Sequence, residues 1–135
     1  MNIFVDTGGW FSMVVTSDAD HRVASDCFAL FDEDTFITTD YVIDETLTLL
    51  RARGYDQRAQ MLGNGFFGNT LATVHYLDEI QIRAAWDVFR LYKDKRWSFT
   101  DCSSKIVMEE LNITKAISLD RHFHQFGTVE VFPRP

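Results

Sequence analysis

Four acidic side chains stand where alternating strands and helices would gather their chemistry. Asp6 follows the apolar run 3–5, and Asp120 follows the apolar run 116–119. Asp101 lies in the first turn of a helix opened by Ser98. Glu45 lies on a helix directly after the run 35–38, two residues from Ile43 and two from Leu47. In open α/β sheets the site forms outside the carboxyl ends of the strands. Strand-end and helix-start acids are therefore candidates to converge. Converging carboxylates repel one another, and their pKa values rise unless a cation neutralises them. Donor sets of oxygen alone select hard cations such as Mg²⁺ or Mn²⁺. Such a cluster suits phosphodiester hydrolysis, in which one ion generates hydroxide and a second, ~3.5–4 Å away, stabilises the leaving oxygen. Each acid also has an ordinary structural reading, Asp6 as a strand-end turn residue and Asp101 as a capping acid. Periodicity does not separate Glu45 from its neighbour Asp44.

The elements that must position these acids follow from apolar spacing and from caps. Strands are expected at 3–5, 35–38, 73–77, 116–119 and 129–132. Helices are expected at 10–15, 40–53, 55–62, 78–92 and from Ser98 to about Leu111, with a short one carrying Phe123 and Phe126. The 78–92 helix is expected to face the core with Ala84, Ala85, Val88, Phe89 and Tyr92. A further helix opens at Ser17-Asp18-Ala19-Asp20, which has the form of a capping box, and buries Val23, Cys27, Leu30 and Phe31. The glycine-punctuated stretch 63–69 has no assignment. Strands alternating with helices imply an α/β three-layer sandwich around a mostly parallel sheet. At 135 residues the chain is expected to form one domain over 1–135, since its only prolines are Pro133 and Pro135 and no linker interrupts it.

Other chemistries find little support. Cys27 and Cys102 lack C-x-x-C spacing, so reduced thiols in a cytoplasm are expected. No run approaches the ~20 apolar residues of a membrane span, and the start has no signal-peptide form. Ser103 and Ser104 lack a nucleophile-elbow context, and no phosphate-binding glycine motif occurs. His122 and His124 point about 200° apart on a helix and are expected to be exposed rather than to share an ion. His75 is expected to be structural. Phe66 and Phe67, if both exposed, would form an apolar patch for a partner.

The order Val5-Asp6-Thr7, then Thr39-Asp40-Tyr41-Val42-Ile43-Asp44-Glu45-Thr46, then Ser98-Phe99-Thr100-Asp101, then Ser118-Leu119-Asp120-Arg121-His122 resembles the PIN-domain ribonucleases. It is most similar to their small VapC-like toxins of toxin–antitoxin pairs. The likeness covers essentially the whole chain. It implies Asp6, Glu45, Asp101 and Asp120 as metal ligands and catalytic acids for Mg²⁺ or Mn²⁺, and so favours Glu45 over Asp44. It implies Thr7 and Thr100 as supporting hydroxyls beside the acids. It also implies an RNA substrate, a cognate antitoxin and a homodimer. Gly8 departs from the Ser or Ala frequent in relatives. The reaction expected is in-line attack of a metal-activated water on an RNA phosphodiester. Alternatives are a non-catalytic RNA- or protein-binding module, or an RNA-processing nuclease outside a toxin pair.

The net charge of −7 at first argues against RNA. Residues 1–50 carry ten acids against the single base Arg22, whereas residues 51–135 carry twelve bases and ten acids. Affinity for RNA is therefore expected to be local. Lys93, Lys95, Arg96 and Lys105 are the candidate phosphate contacts, Lys105 also standing one turn from Asp101. The 18–34 segment is expected to face away from substrate.

Overall fold

The computed structural model describes residues 1–135. Five parallel strands form one sheet: β1 (Asn2–Val5), β2 (Thr35–Thr39), β3 (Thr73–His75), β4 (Lys115–Ile117) and β5 (Glu130–Phe132). Their spatial order is β3-β2-β1-β4-β5. A parallel pair cannot be joined by a tight turn, so α-helices fill every crossover but the last, between β4 and β5, and cover the sheet. They are α1 (Thr7–Val14), α2 (His21–Leu30), α3 (Asp40–Ala52), α4 (Asp56–Phe67), α5 (Glu79–Leu91) and α6 (Phe99–Glu110). Two 3₁₀ turns, Lys93–Lys95 and Arg121–Phe126, complete the chain. This is the expected α/β architecture.

The centre of the sheet reads directly from sequence. β1 is covered on both faces, and its Ile3, Phe4 and Val5 are fully buried. At ~25 cal/mol per Å² of apolar surface removed from water, each such side chain contributes roughly 1.5–3 kcal/mol. Around it a continuous core joins Trp10, Phe28, Leu50, Phe66, Met108, Ile117 and Phe123. β1 pairs Phe4 with Ile37 on one side and with Ala116 on the other. That register brings the ends of β1, β2 and β4 to the same edge.

Three expectations are corrected. The helix expected from the Ser17–Asp20 capping box starts instead at His21, after Asp20, with no side-chain cap. Asp18 is engaged elsewhere, accepting from Ser12 Oγ at 2.9 Å and from the Asp20 N–H at 3.0 Å. The buried face of α2 is accordingly Ala24, Cys27 and Phe28, while Val23 and Leu30 are exposed. Along α5, Gln81 and Ala85 are buried but Phe89 and Tyr92 are exposed. The unassigned glycine stretch is largely helical, because α4 runs on to Phe67. Gly65 permits this, since a Cβ there would lie 2.3 Å from Leu71 Cδ1. Phe66 is fully buried and Phe67 is 61% exposed, so the two rings do not form a joint surface patch.

Candidate active site at the carboxyl edge of the sheet

Asp6 is the first residue after β1 and the N-cap of α1. Its Oδ1 accepts from the Gly9 N–H at 2.9 Å, and its Oδ2 accepts from Ser118 Oγ at 2.5 Å. Asp6 is buried, and that burial raises its carboxyl from 3.8 to about 7 against the two hydrogen bonds, with the charges of Asp120 and Asp101 adding to the rise. Ser118 follows β4 directly. It also accepts from the Asp120 N–H at 3.0 Å, so one hydroxyl ties the β1 and β4 acids together.

Asp101 sits at the third position of α6. Its Oδ2 accepts from the Ser98 N–H at 3.1 Å while Ser98 Oγ accepts from the Asp101 N–H at 3.0 Å. This reciprocal box is the one expected from sequence. Burial pushes the Asp101 carboxyl up, and the nearby Asp120 charge pushes it further. Asp120 caps the 3₁₀ turn through the His122 N–H at 2.9 Å. His122 Nδ1 stands 3.3 Å from Asp101 Oδ2 and 3.3 Å from Asp120 Oδ1. Ligand atoms of Asp101, Asp120 and His122 all lie within 4.8 Å of one another.

His122 is therefore half-buried between two acids and is not the exposed residue expected. The 3₁₀ turn of Arg121–Phe126 places it: Phe123 and Phe126 enter the core, and His122 falls back over Asp120. His124 is exposed, as expected. His75 is satisfied by Gln81 Oε1 at 2.9 Å. Ser118 is a further member of the site that its position between Ile117 and Asp120 does not single out.

Glu45 is half-buried on α3, which begins where β2 ends, whereas Asp44 is exposed. Glu45 stands outside the three-residue cluster and forms no ion pair or side-chain hydrogen bond. The two expected supporting hydroxyls touch no carboxylate. Thr7 Oγ1 is buried with no partner. Thr100 contributes its carbonyl, which accepts from Ser103 Oγ at 2.7 Å. Lys105 binds Glu109 at 2.5 Å and not Asp101. Lys93, Lys95 and Arg96 are exposed in the turn after α5. Gly8 is neutral: a Cβ there would meet Asp6 Oδ1 and Leu119 Cβ at 3.6 Å, an ordinary contact.

The donor set suits a divalent cation. Asp101, Asp120 and His122 offer ligand atoms at close quarters, and the Asp6 carboxyl beside them carries a burial penalty that positive charge would relieve. A cleft of about 1110 Å³ lies between α1, α2 and α4 and includes none of the four acids. No helix is long and apolar enough to cross a membrane.

No family model matches the chain. Individual relatives do. The chain is 30% identical over 131 residues to the 23S rRNA-specific endonuclease VapC20 of Mycobacterium tuberculosis, covering 97% of this chain and 98% of the relative. It is 34% identical over 128 residues to a VapC ribonuclease of Archaeoglobus fulgidus, covering 91% and 80%. The crystal structure of the Mycobacterium tuberculosis VapC20, a Sarcin-Ricin loop cleaving toxin, superposes with a TM-score of 0.88 at 29% identity, covering 96% of this chain and 98% of that one. With the same fold along its full length and the acids gathered at one sheet edge, this chain belongs to the VapC family of PIN-domain ribonuclease toxins.

Proposed function

We propose that this protein is a Mg²⁺- or Mn²⁺-dependent endoribonuclease toxin, acting in the cytoplasm as one domain over residues 1–135. The observation that carries the reading is the Asp101–Asp120–His122 cluster beside the buried, charge-averse carboxyl of Asp6. Asp6, Asp101 and Asp120 would hold the ion directly or through water, with Glu45 completing the set from α3. When bound, the ion supplies activation of a water and neutralisation of phosphate charge.

The remaining chemistry belongs to the chain's own residues. Ser118 Oγ and the Gly9 N–H fix both oxygens of Asp6. Ser98 fixes Asp101 at the start of α6. His122 Nδ1 lies 3.3 Å from a carboxylate oxygen of Asp101 and 3.3 Å from one of Asp120, and so positions the two acids against one imidazole. No protein nucleophile is required.

The relatives extend the reading to partners. VapC20 acts on the Sarcin-Ricin loop of 23S rRNA, so ribosomal RNA is the first substrate to offer this chain. A cognate antitoxin would restrain it. A homodimer is supported by Ile80 and Leu91, eleven residues apart on one face of α5 and 76% and 67% exposed. The test incubates the protein with total RNA, with Mg²⁺, with Mn²⁺ and with EDTA. Discrete cleavage that EDTA stops is the expected outcome, and Asp101→Asn should lose it by about 10²- to 10³-fold while keeping the fold. Full cleavage by Asp101→Asn, or RNA binding with no metal-stimulated cleavage, would overturn the reading.

A further inference from the structure

We propose that the cleft between the end of α5 and the start of α6 is a nucleotide subsite. It would take one unstacked base and its phosphate from a single-stranded or looped stretch of RNA. The inference rests on the ribonuclease reading and locates a second hold on that substrate, outside the acidic cluster.

The cleft has a volume of about 370 Å³ and is lined by Phe89, Tyr92, Lys93, Arg96 and Trp97. Aromatic faces and fixed cations together are what an unstacked nucleotide requires: a π surface for the base, positive charge for the phosphate. Phe89 and Tyr92 are 41% and 42% exposed although both are large aromatics. Trp97 lies beneath them and is held rigidly. Its ring centroid is 5.2 Å from that of Tyr92 and 5.0 Å from that of Phe126, and its indole N–H donates to Gln125 Oε1 at 2.8 Å.

The cations of the cleft, like Lys95 between them, differ from those on the flanking helices. Arg83, Arg90 and Lys105 are paired with Glu79, Asp87 and Glu109. Lys93 and Arg96 enter no ion pair. Arg96 holds a left-handed backbone, φ 62°, that glycine would adopt without strain. A charged side chain nonetheless stands there.

The cleft is linked to the acids through the chain and through packed rings. Arg96 and Trp97 immediately precede Ser98, whose capping box fixes Asp101. Trp97 packs on Phe126, and Phe126 on Phe123, in the turn that carries His122. A row of rings from Phe89 to Phe99 and on to Tyr41 reaches α3 one turn before Glu45. A nucleotide in the cleft and a phosphate at the acids would thus be served by the single segment 96–101. Apolar rings alone would suit a second protein surface, but rings beside unpaired cations favour RNA.

The test measures anisotropy of a fluorescein-labelled single-stranded oligoribonucleotide in EDTA, so that nothing is cut. Tyr92→Ala should weaken binding about five- to a hundredfold, the range of base–aromatic stacking, with the salt dependence unchanged. Tyr92→Phe, which keeps the ring, should bind as the wild type does. The double variant Lys93→Gln/Arg96→Asn should weaken binding and reduce the slope of log K against log[salt] by about 0.7 for each phosphate no longer neutralised. If the wild-type chain cleaves or binds RNA and these variants match it within about twofold, on the scale set for stacking, the subsite falls alone. If the wild type neither binds nor cleaves RNA, the ribonuclease reading falls and the subsite with it. Loss of a dimer on Tyr92→Ala, seen by light scattering, would make the cleft a protein interface and also overturn the proposal.

Discussion

Replacing Asp6 by asparagine should make the metal-free protein more stable at neutral and alkaline pH. Burial is the main reason the Asp6 carboxyl titrates at about 7 and not at 3.8. Because the folded-state value is raised, the folded chain keeps a proton that the unfolded chain gives up as pH climbs past about 4. The penalty is absent well below about pH 4, grows between about 4 and 7, and is complete above about 7. Its full size is about 4 kcal/mol, and about 3 kcal/mol of it accrues between about pH 4.5 and about pH 8. These figures are upper limits, because the site can relax. The amide of Asp6→Asn carries no such penalty, and it preserves the hydrogen bonds. Its carbonyl still accepts from the Gly9 N–H. Its NH₂ donates to Ser118 Oγ, whose own proton turns to the Asp120 carbonyl, 3.3 Å away. Thermal melts in EDTA should therefore show the variant ahead of the wild type by on the order of 10 °C at about pH 8, with most of that lead gone at about pH 4.5. Added Mn²⁺ should raise the wild-type melting temperature and leave the variant nearly where it was. A variant that melts below the wild type at about pH 8, or by the same margin at both pH values, would refute the reasoning.

Gly9→Ala should cost about 1–3 kcal/mol in urea unfolding, because its Cβ would lie 2.9 Å from Val5 Cγ1 and 3.3 Å from the Ile117 carbonyl. Gly8→Ala, whose Cβ meets nothing closer than 3.6 Å, should be neutral or slightly stabilising. Cys102 is fully buried, and burial together with the Asp101 charge pushes its thiol up to about 11. It should resist iodoacetamide at about pH 8 until the chain unfolds, as read by mass spectrometry. Ile80→Ser with Leu91→Ser should convert a dimer to a monomer in light scattering without changing the far-UV spectrum; a dimer that persists would exclude this face of α5.

The parts legible in the sequence are those set by local chemistry and by burial on both sides. The Ser98–Asp101 box is a four-residue signal and forms as expected. β1 is an apolar run followed by an acid, and Asp6 stands where that pattern puts it. α2 departs from its expected start: it begins at His21, and Asp20 makes no side-chain cap. Ser17 and Asp20 have the right spacing for a box, but Asp18 between them finds a partner in Ser12, on the preceding helix, which no local pattern encodes. His122 departs for a related reason. Treated as α-helical, the turn sends His122 and His124 to opposite sides. As a 3₁₀ turn anchored by Phe123 and Phe126, it folds His122 back over its own N-cap, Asp120. Ser118 carries no local signal, because its role lies in joining two strand ends, β1 and β4, that are 112 residues apart in sequence.

The net charge of −7 also changes meaning once partners are assigned. Several bases of the second half are neutralised locally: Arg51 by Asp56, Arg83 by Glu79, Arg90 by Asp87, Lys105 by Glu109 and Arg134 by Glu130. Arg58 is occupied by the Val14 carbonyl at 2.6 Å, and Arg53 lies over the Phe11 ring. The five ion-paired bases add little to a field that an approaching phosphate would feel, while Arg58 and Arg53 keep their charge. Lys93, Lys95 and Arg96 enter no ion pair, and they occupy the turn just before the segment that fixes Asp101. An acidic protein of the proposed function would attract RNA through a few free cations, here in the turn that precedes the candidate acid Asp101. Surface averages hide that arrangement, because Coulomb interactions between exposed charges fade beyond about 8–10 Å at ordinary salt. The same short range would make the attraction sensitive to salt and confine it to the rim of the site, which leaves the acid-rich 18–34 segment free to face solvent or another protein.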